Sequence, residues 1–156
     1  MPLILLWLSI LLTGLSCSRA RVTAPVPPSP LSEAQQNQFQ YDFVEGTTAK
    51  LIGKWEQAEQ FFARALSLDP GSAVTAYEMG RIALQRGDGP KAQRMAQRAA
   101  QLDPLNPWYL QFLAQVYQNN GLPKEAADTW QRLIAMDNEH SLEALENLAN
   151  LHIQNK

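Results

Sequence analysis

Two kinds of hydrophobic patterning divide this chain. In the first, apolar residues run together: Leu3 to Leu12 is almost wholly apolar, and residues 1 to 17 carry no charged side chain. In the second, from Ser32 onward, apolar residues are spaced. Stripes such as Leu145, Leu148 and Ala149 recur at three- and four-residue intervals, which is one face of an α-helix. The spacing predicts helices near 33–52, 55–68, 72–86, 90–102, 107–119, 123–136 and 141–154. Ser32 with Gln35 makes a capping box for the first of them. Gly53, Gly87 and Gly121 stand where a helix must turn without a Cβ, and Pro90 and Pro123 open helices where a missing N–H costs nothing. Pro70 and Pro104 cannot continue the helices that precede them.

The helices repeat. Asp69-Pro70 recurs as Asp103-Pro104 and Asp137-Asn138, each 34 residues on. Gly53, Gly87 and Gly121 keep the same period, as do Ala58, Ala92 and Ala126, and Gly46, Gly80 and Ala114. One slot holds Phe62, then Ala96, then Trp130. Each unit is therefore a pair of helices joined by a glycine turn, with boundaries near 39–72, 73–106 and 107–140 and a partial unit at 141–156.

Composition narrows the class. The chain has 22 Leu, 20 Ala and 15 Gln against 11 Val plus Ile, a balance that favours an all-α fold over sheets. Thirteen Lys plus Arg against 15 Asp plus Glu leave a net charge of −2, which excludes the basic footprint of a dedicated nucleic-acid binder. One cysteine excludes an internal disulfide framework and a cysteine-based zinc site. No Gly-x-Ser-x-Gly elbow, P-loop or dinucleotide turn is present. His152 falls on an apolar stripe and reads as a packed ring, and His140 has no second histidine at i+4 to make a metal pair. The sequence thus predicts a protein without catalytic residues, metal or cofactor.

The apolar N-terminal run is shorter than the roughly 20 residues a spanning helix needs and suits a signal peptide. Small residues Gly14 and Ser16 precede the sole thiol, Cys17. Residues 1–17 resemble a bacterial lipoprotein signal, which implies export, acylation of Cys17 as the first mature residue and a lipid anchor. The implied place is the bacterial cell envelope, on the outer membrane or the periplasmic side of the inner one. A secretory peptide cut near Ala20 and a short membrane anchor remain alternatives. Residues 18–31 contain Pro25, Pro27, Pro28 and Pro30 and form an extended linker to a domain at 32–156.

The repeated residues resemble the tetratricopeptide repeat (TPR) family. Its small residue, glycine turn, alanine, aromatic and terminal proline are matched by Gly46, Gly53, Ala58, Phe62 and Pro70. Gly80, Gly87, Ala92 and Pro104 follow in the second unit, and Tyr117, Gly121, Ala126 and Trp130 in the third. Leu142 to His152 is similar to a further first helix shifted by one residue. The first unit departs from the pattern with Asp42 and Glu45, for which Phe39, Tyr41 and Phe43 offer apolar substitutes. The resemblance implies a helix-turn-helix solenoid of about three and a half repeats. Members that clamp chaperone tails do so with Lys and Asn groups; here Phe43, Thr47 and Glu78 stand at the corresponding surfaces.

The functional surface of such a solenoid is its concave side, lined by the first helix of each pair. Spacing away from the packing stripe assigns to it Phe43, Thr47 and Lys50, then Tyr77, Arg81 and Leu84, then Gln111, Gln115 and Gln118, with Trp108 and Asn119 at the edges and Asn150 continuing the line. These residues suit a peptide or protein partner, and they equally suit a merely solvated face. The reading is a non-enzymatic adaptor tethered to the envelope membrane, serving assembly of an envelope or surface machine. Two alternatives stand beside it: a self-associating structural module, and a fragment of a larger enzyme or sensor. Oligomeric state is not legible at this level.

Overall fold

A computed structural model describes residues 30–136 and 141–154. The apolar N-terminal run, Cys17 and most of the linker lie outside the described residues, as do residues 137–140 and the side chain of His152. Residues 31–156 form one compact unit. Among the described residues the secondary structure is helical throughout: α1 (Glu33–Leu51), α2 (Trp55–Leu68), α3 (Ala73–Gln85), α4 (Gly89–Leu102), α5 (Pro107–Asn119), α6 (Pro123–Met136) and α7 (Ser141–Gln154). None of these is long and apolar enough to cross a membrane. Each helix packs on the next along the chain, so the fold is a stack of hairpins.

Local chemistry sets the boundaries. Ser32 and Gln35 make the reciprocal capping box at the start of α1. Gly53, Gly87 and Gly121 adopt φ of 75°, 77° and 70°, the left-handed turn after α1, α3 and α5. There the N–H of Lys54, Asp88 and Leu122 reaches back to the carbonyls of Ala49, Ala83 and Tyr117, each at 2.9 Å. Ser72, Asp88 and Asn106 accept from the first backbone N–H groups of α3, α4 and α5.

Small residues let the helices approach. A Cβ at Gly46 would stand 3.0 Å from the Phe62 ring, and one at Gly80 would stand 2.8 Å from Phe112. Phe62, Ala96 and Trp130 fill the same slot in successive hairpins, and all three are fully buried. The volume therefore changes between repeats while the position does not. In the first repeat the core is partly polar: Asp42 is buried, accepts from Arg64 Nε at 2.9 Å and from Gln38 Nε2 at 3.1 Å, and occupies the column of Ala76 and Leu110. Phe43 supplies apolar cover, stacking on Phe39 and meeting Phe62 edge-on at 5.5 Å. Tyr41 does not substitute in the core; it is 56% exposed beside Phe61.

α7 follows the interior helices one residue late. With that shift Ala144 and Leu151 take the places of Thr75 and Ile82, and all four are buried.

Candidate functional site

Four first-type helices, α1, α3, α5 and α7, follow one another in a row, and side chains of successive members meet. Lys50 of α1 pairs with Glu78 of α3 at 2.6 Å. Tyr77 of α3 packs against Tyr109 and Phe112 of α5, with ring centroids 5.3 and 5.1 Å apart. Gln111 of α5 donates from Nε2 to Glu143 of α7 at 2.7 Å. Burial, and then the charges of Asp103, Tyr77 and Glu78, push the Tyr109 hydroxyl above the usual tyrosine range.

This row walls a groove of about 650 Å³. Of the residues expected from spacing, Lys50, Tyr77, Arg81, Leu84, Trp108, Gln111 and Gln115 line it. Phe43 instead packs on Phe62, and the Thr47 hydroxyl donates to the Phe43 carbonyl at 2.9 Å. Gln118 is half-buried, and Asn119 and Asn150 are exposed, all three away from the lining. Five further residues complete the walls. Leu51 and Gln85 follow directly on Lys50 and Leu84, so a stripe one residue wider would have included them. Trp55 opens α2 from across the glycine turn, and Ile82 and Phe112 are core side chains whose edges reach the groove. No helical spacing marks those three as lining.

The lining is cationic and amide-rich. It holds Lys50 and Arg81 and no carboxylate, because Glu78 sits behind Lys50 and neutralises it. Arg81 is exposed and lies over the Tyr77 ring with its Cζ 5.6 Å from the centroid. Among the described residues no carboxylate pairs with it. The Gln111 carbonyl oxygen is buried and has no hydrogen-bond partner among the described residues. Trp108 is 59% exposed at the rim. The arrangement offers a fixed guanidinium, amide groups and aromatic faces to an extended ligand.

Stacked helical hairpins with a shared inner groove define a repeat solenoid. The tetratricopeptide repeat family model matches residues 53–116, and the stacked hairpins are similar in fold to that family. Known structures share the fold. MamA superposes with a TM-score of 0.71 at 20% identity, covering 78% of this chain and 71% of that one. PcrH in complex with the chaperone-binding region of PopD gives 0.69 at 18%, covering 78% and 96%. The first TPR of Spaghetti, bound to an HSP90 peptide, gives 0.69 at 14%, covering 76% and 93%. In sequence, cellulose synthase operon protein C of Pseudomonas fluorescens (strain SBW25) is 30% identical over 86 residues, which is 55% of this chain. The Salmonella typhimurium (strain LT2) protein of that name is 35% identical over 63 residues, 40% of this chain. The matched segments make up only 7% and 5% of those two proteins.

Proposed function

We propose that this protein is a non-enzymatic adaptor that holds a peptide segment of a partner protein in its concave groove. The groove itself carries the reading: Tyr77, Arg81, Trp108, Gln111 and Gln115, from adjacent helices, face one continuous space. Arg and aromatic side chains are the groups that anchor interfaces, and amides satisfy an extended backbone. Peptide-bound relatives of the same fold, PcrH with PopD and Spaghetti with its HSP90 peptide, support a binding role. The adaptor is tethered by acylation of Cys17, and the Pro-rich linker lifts the repeats off a bacterial envelope membrane. Local similarity to proteins named for a cellulose synthase operon makes a surface-polysaccharide machine the first setting to test.

Crosslinking in native envelopes, followed by mass spectrometry, identifies the partner. Arg81→Ala with Trp108→Ala, both at exposed positions, removes the guanidinium and the rim aromatic without touching the core. Partner recovery should fall at least tenfold with the melting curve unchanged; equal recovery rejects the groove. The tether is checked separately by metabolic labelling with a palmitate analogue, which Cys17→Ala should abolish. Labelling that persists in that variant, or none in the wild type, removes the anchor.

A further inference from the structure

The concave groove carries one charge that its own walls do not balance. Of its two cations, Lys50 meets Glu78 at 2.6 Å, and both side chains of that pair are largely buried. Arg81 is exposed, and among the described residues no carboxylate pairs with it. Two carboxylates touch lining residues without lining the groove themselves. Glu78 is engaged by Lys50, and Glu143 accepts from Gln111 at 2.7 Å. The Tyr77 ring, 5.6 Å from Arg81 Cζ, orients the guanidinium but leaves its net charge in place.

Apolar groups flank that charge along the groove. On α3, Tyr77 stands four residues before Arg81 and Leu84 three residues after it, which is about 6 Å and about 4.5 Å along the axis. Each step equals about two residues of extended chain. Phe112 of α5 extends the Tyr77 end, its ring centroid 5.1 Å away. Leu51, 78% exposed, extends the Leu84 end, since it closes α1 one 34-residue period before Gln85.

A segment that fills this groove takes the Arg81 guanidinium out of water. Backbone carbonyls and the amides of Gln111 and Gln115 can accept from its N–H groups. Neutral acceptors leave the charge unbalanced, however, and an unpaired buried charge is costly. An occupant with its own carboxylate removes that cost and adds a bidentate, charge-assisted pair. One unbalanced cation matches one monoanion, whereas phosphorylated segments are met by clusters of Arg. Apolar walls on both sides of Arg81 require a chain that continues past the acid in both directions, so the carboxylate is a side chain rather than a chain end.

We propose that the groove selects a peptide segment in which an internal Asp or Glu pairs with Arg81, with a large apolar side chain about two residues to either side. This rests on the groove being a peptide site and adds which peptides it takes.

Phage displaying short random peptides at the coat-protein N-terminus, where no peptide carboxyl end is free, are selected on the full chain in mild detergent. Wild type should enrich Asp or Glu between apolar residues, and Arg81→Glu should enrich Lys or Arg at that place instead. The position is exposed, so melting should not change. Resynthesised with amidated ends, the wild-type peptides should bind at least tenfold more weakly when their acid becomes the amide. That change should have no effect on binding to Arg81→Gln. Enriched peptides without an acidic position, or acidic ones that bind Arg81→Gln as tightly as wild type, overturn the proposal and leave the groove a peptide site. A wild type that enriches nothing beyond the Arg81→Ala/Trp108→Ala variant overturns both readings. Tenfold tighter binding with phosphoserine in place of the acid assigns Arg81 to a phosphorylated ligand and overturns the proposal. Displacement of the peptide by polygalacturonate at equal carboxylate concentration assigns it to a polysaccharide, with the same consequence.

Discussion

Arg64→Ala and Asp42→Leu should have different consequences, although the two native side chains form a single ion pair. Asp42 is 1% exposed, while the Arg64 side chain is about half in solvent. Removing Arg64 leaves the buried carboxylate with only Gln38 as donor among its recorded partners. Breaking a fully buried pair costs about 3–5 kcal/mol; the surviving amide bond and the exposure of Arg64 reduce the expected loss to about 2–3 kcal/mol. Asp42→Leu instead removes the charge that needs a partner. Leu110 occupies the same column at 1% exposure, so a leucine fits between helices of this kind. Arg64 then remains solvated over the Phe61 ring, at 4.4 Å. Exchanging a buried ion pair for apolar packing is commonly neutral or stabilising, and a change within about 1 kcal/mol, or a gain, is expected. Urea unfolding followed by far-ultraviolet circular dichroism measures all three variants against wild type. Asp42→Leu/Arg64→Ala should match Asp42→Leu alone, because the partner of the second substitution is already gone. The reasoning fails if Asp42→Leu costs more than Arg64→Ala.

Two further predictions concern the third repeat. Trp130 is fully buried, and its indole nitrogen has no hydrogen-bond partner among the described residues. Trp130→Phe loses ring area but removes an unpaired donor, opposing effects of about 1–3 kcal/mol each, so its thermal midpoint should stay within about 4 °C. Trp130→Ala leaves a cavity and should cost about 3–5 kcal/mol; equal losses in the two variants would show that the indole nitrogen carries no penalty. Tyr109 holds its proton to higher pH folded than unfolded, from the ordinary value of 10.0 upward. The unfolded chain therefore loses that proton first, and stability should fall as pH rises past about 10. Tyr109→Phe should flatten that slope in urea titrations at successive pH values; an unchanged slope assigns it elsewhere.

Much of the fold was legible because its determinants are local. Gly53, Gly87 and Gly121 end helices through their own φ, and Ser32 caps within four residues of itself. The 34-residue columns carried the packing as well: where the slot reads Phe62, Ala96, Trp130, each is buried. The groove was legible in part. Spacing found Tyr77, Arg81 and Gln111 because they occupy one face of their helices. It missed Trp55, which enters across a turn, and it included Phe43, whose ring the core takes up in place of the bulky residue that Asp42 displaces.

The sequence by itself determined a stack of helical hairpins and the phase in which they stack, since a period of 34 and its caps are properties of neighbouring residues. Charge in the groove was decided only by the tertiary structure. Lys50 and Arg81 look alike along the chain, yet Glu78, 28 residues from Lys50, neutralises one, while the other is left over Tyr77. Which side of α7 is covered likewise depended on where α6 lies: Ala144 and Leu151 are buried, while Leu145 of the apolar stripe is exposed. Helical period dictates the face a residue shares with its own turn. Contacts at 28 to 34 residues are dictated by the angle between successive hairpins, which no single helix encodes.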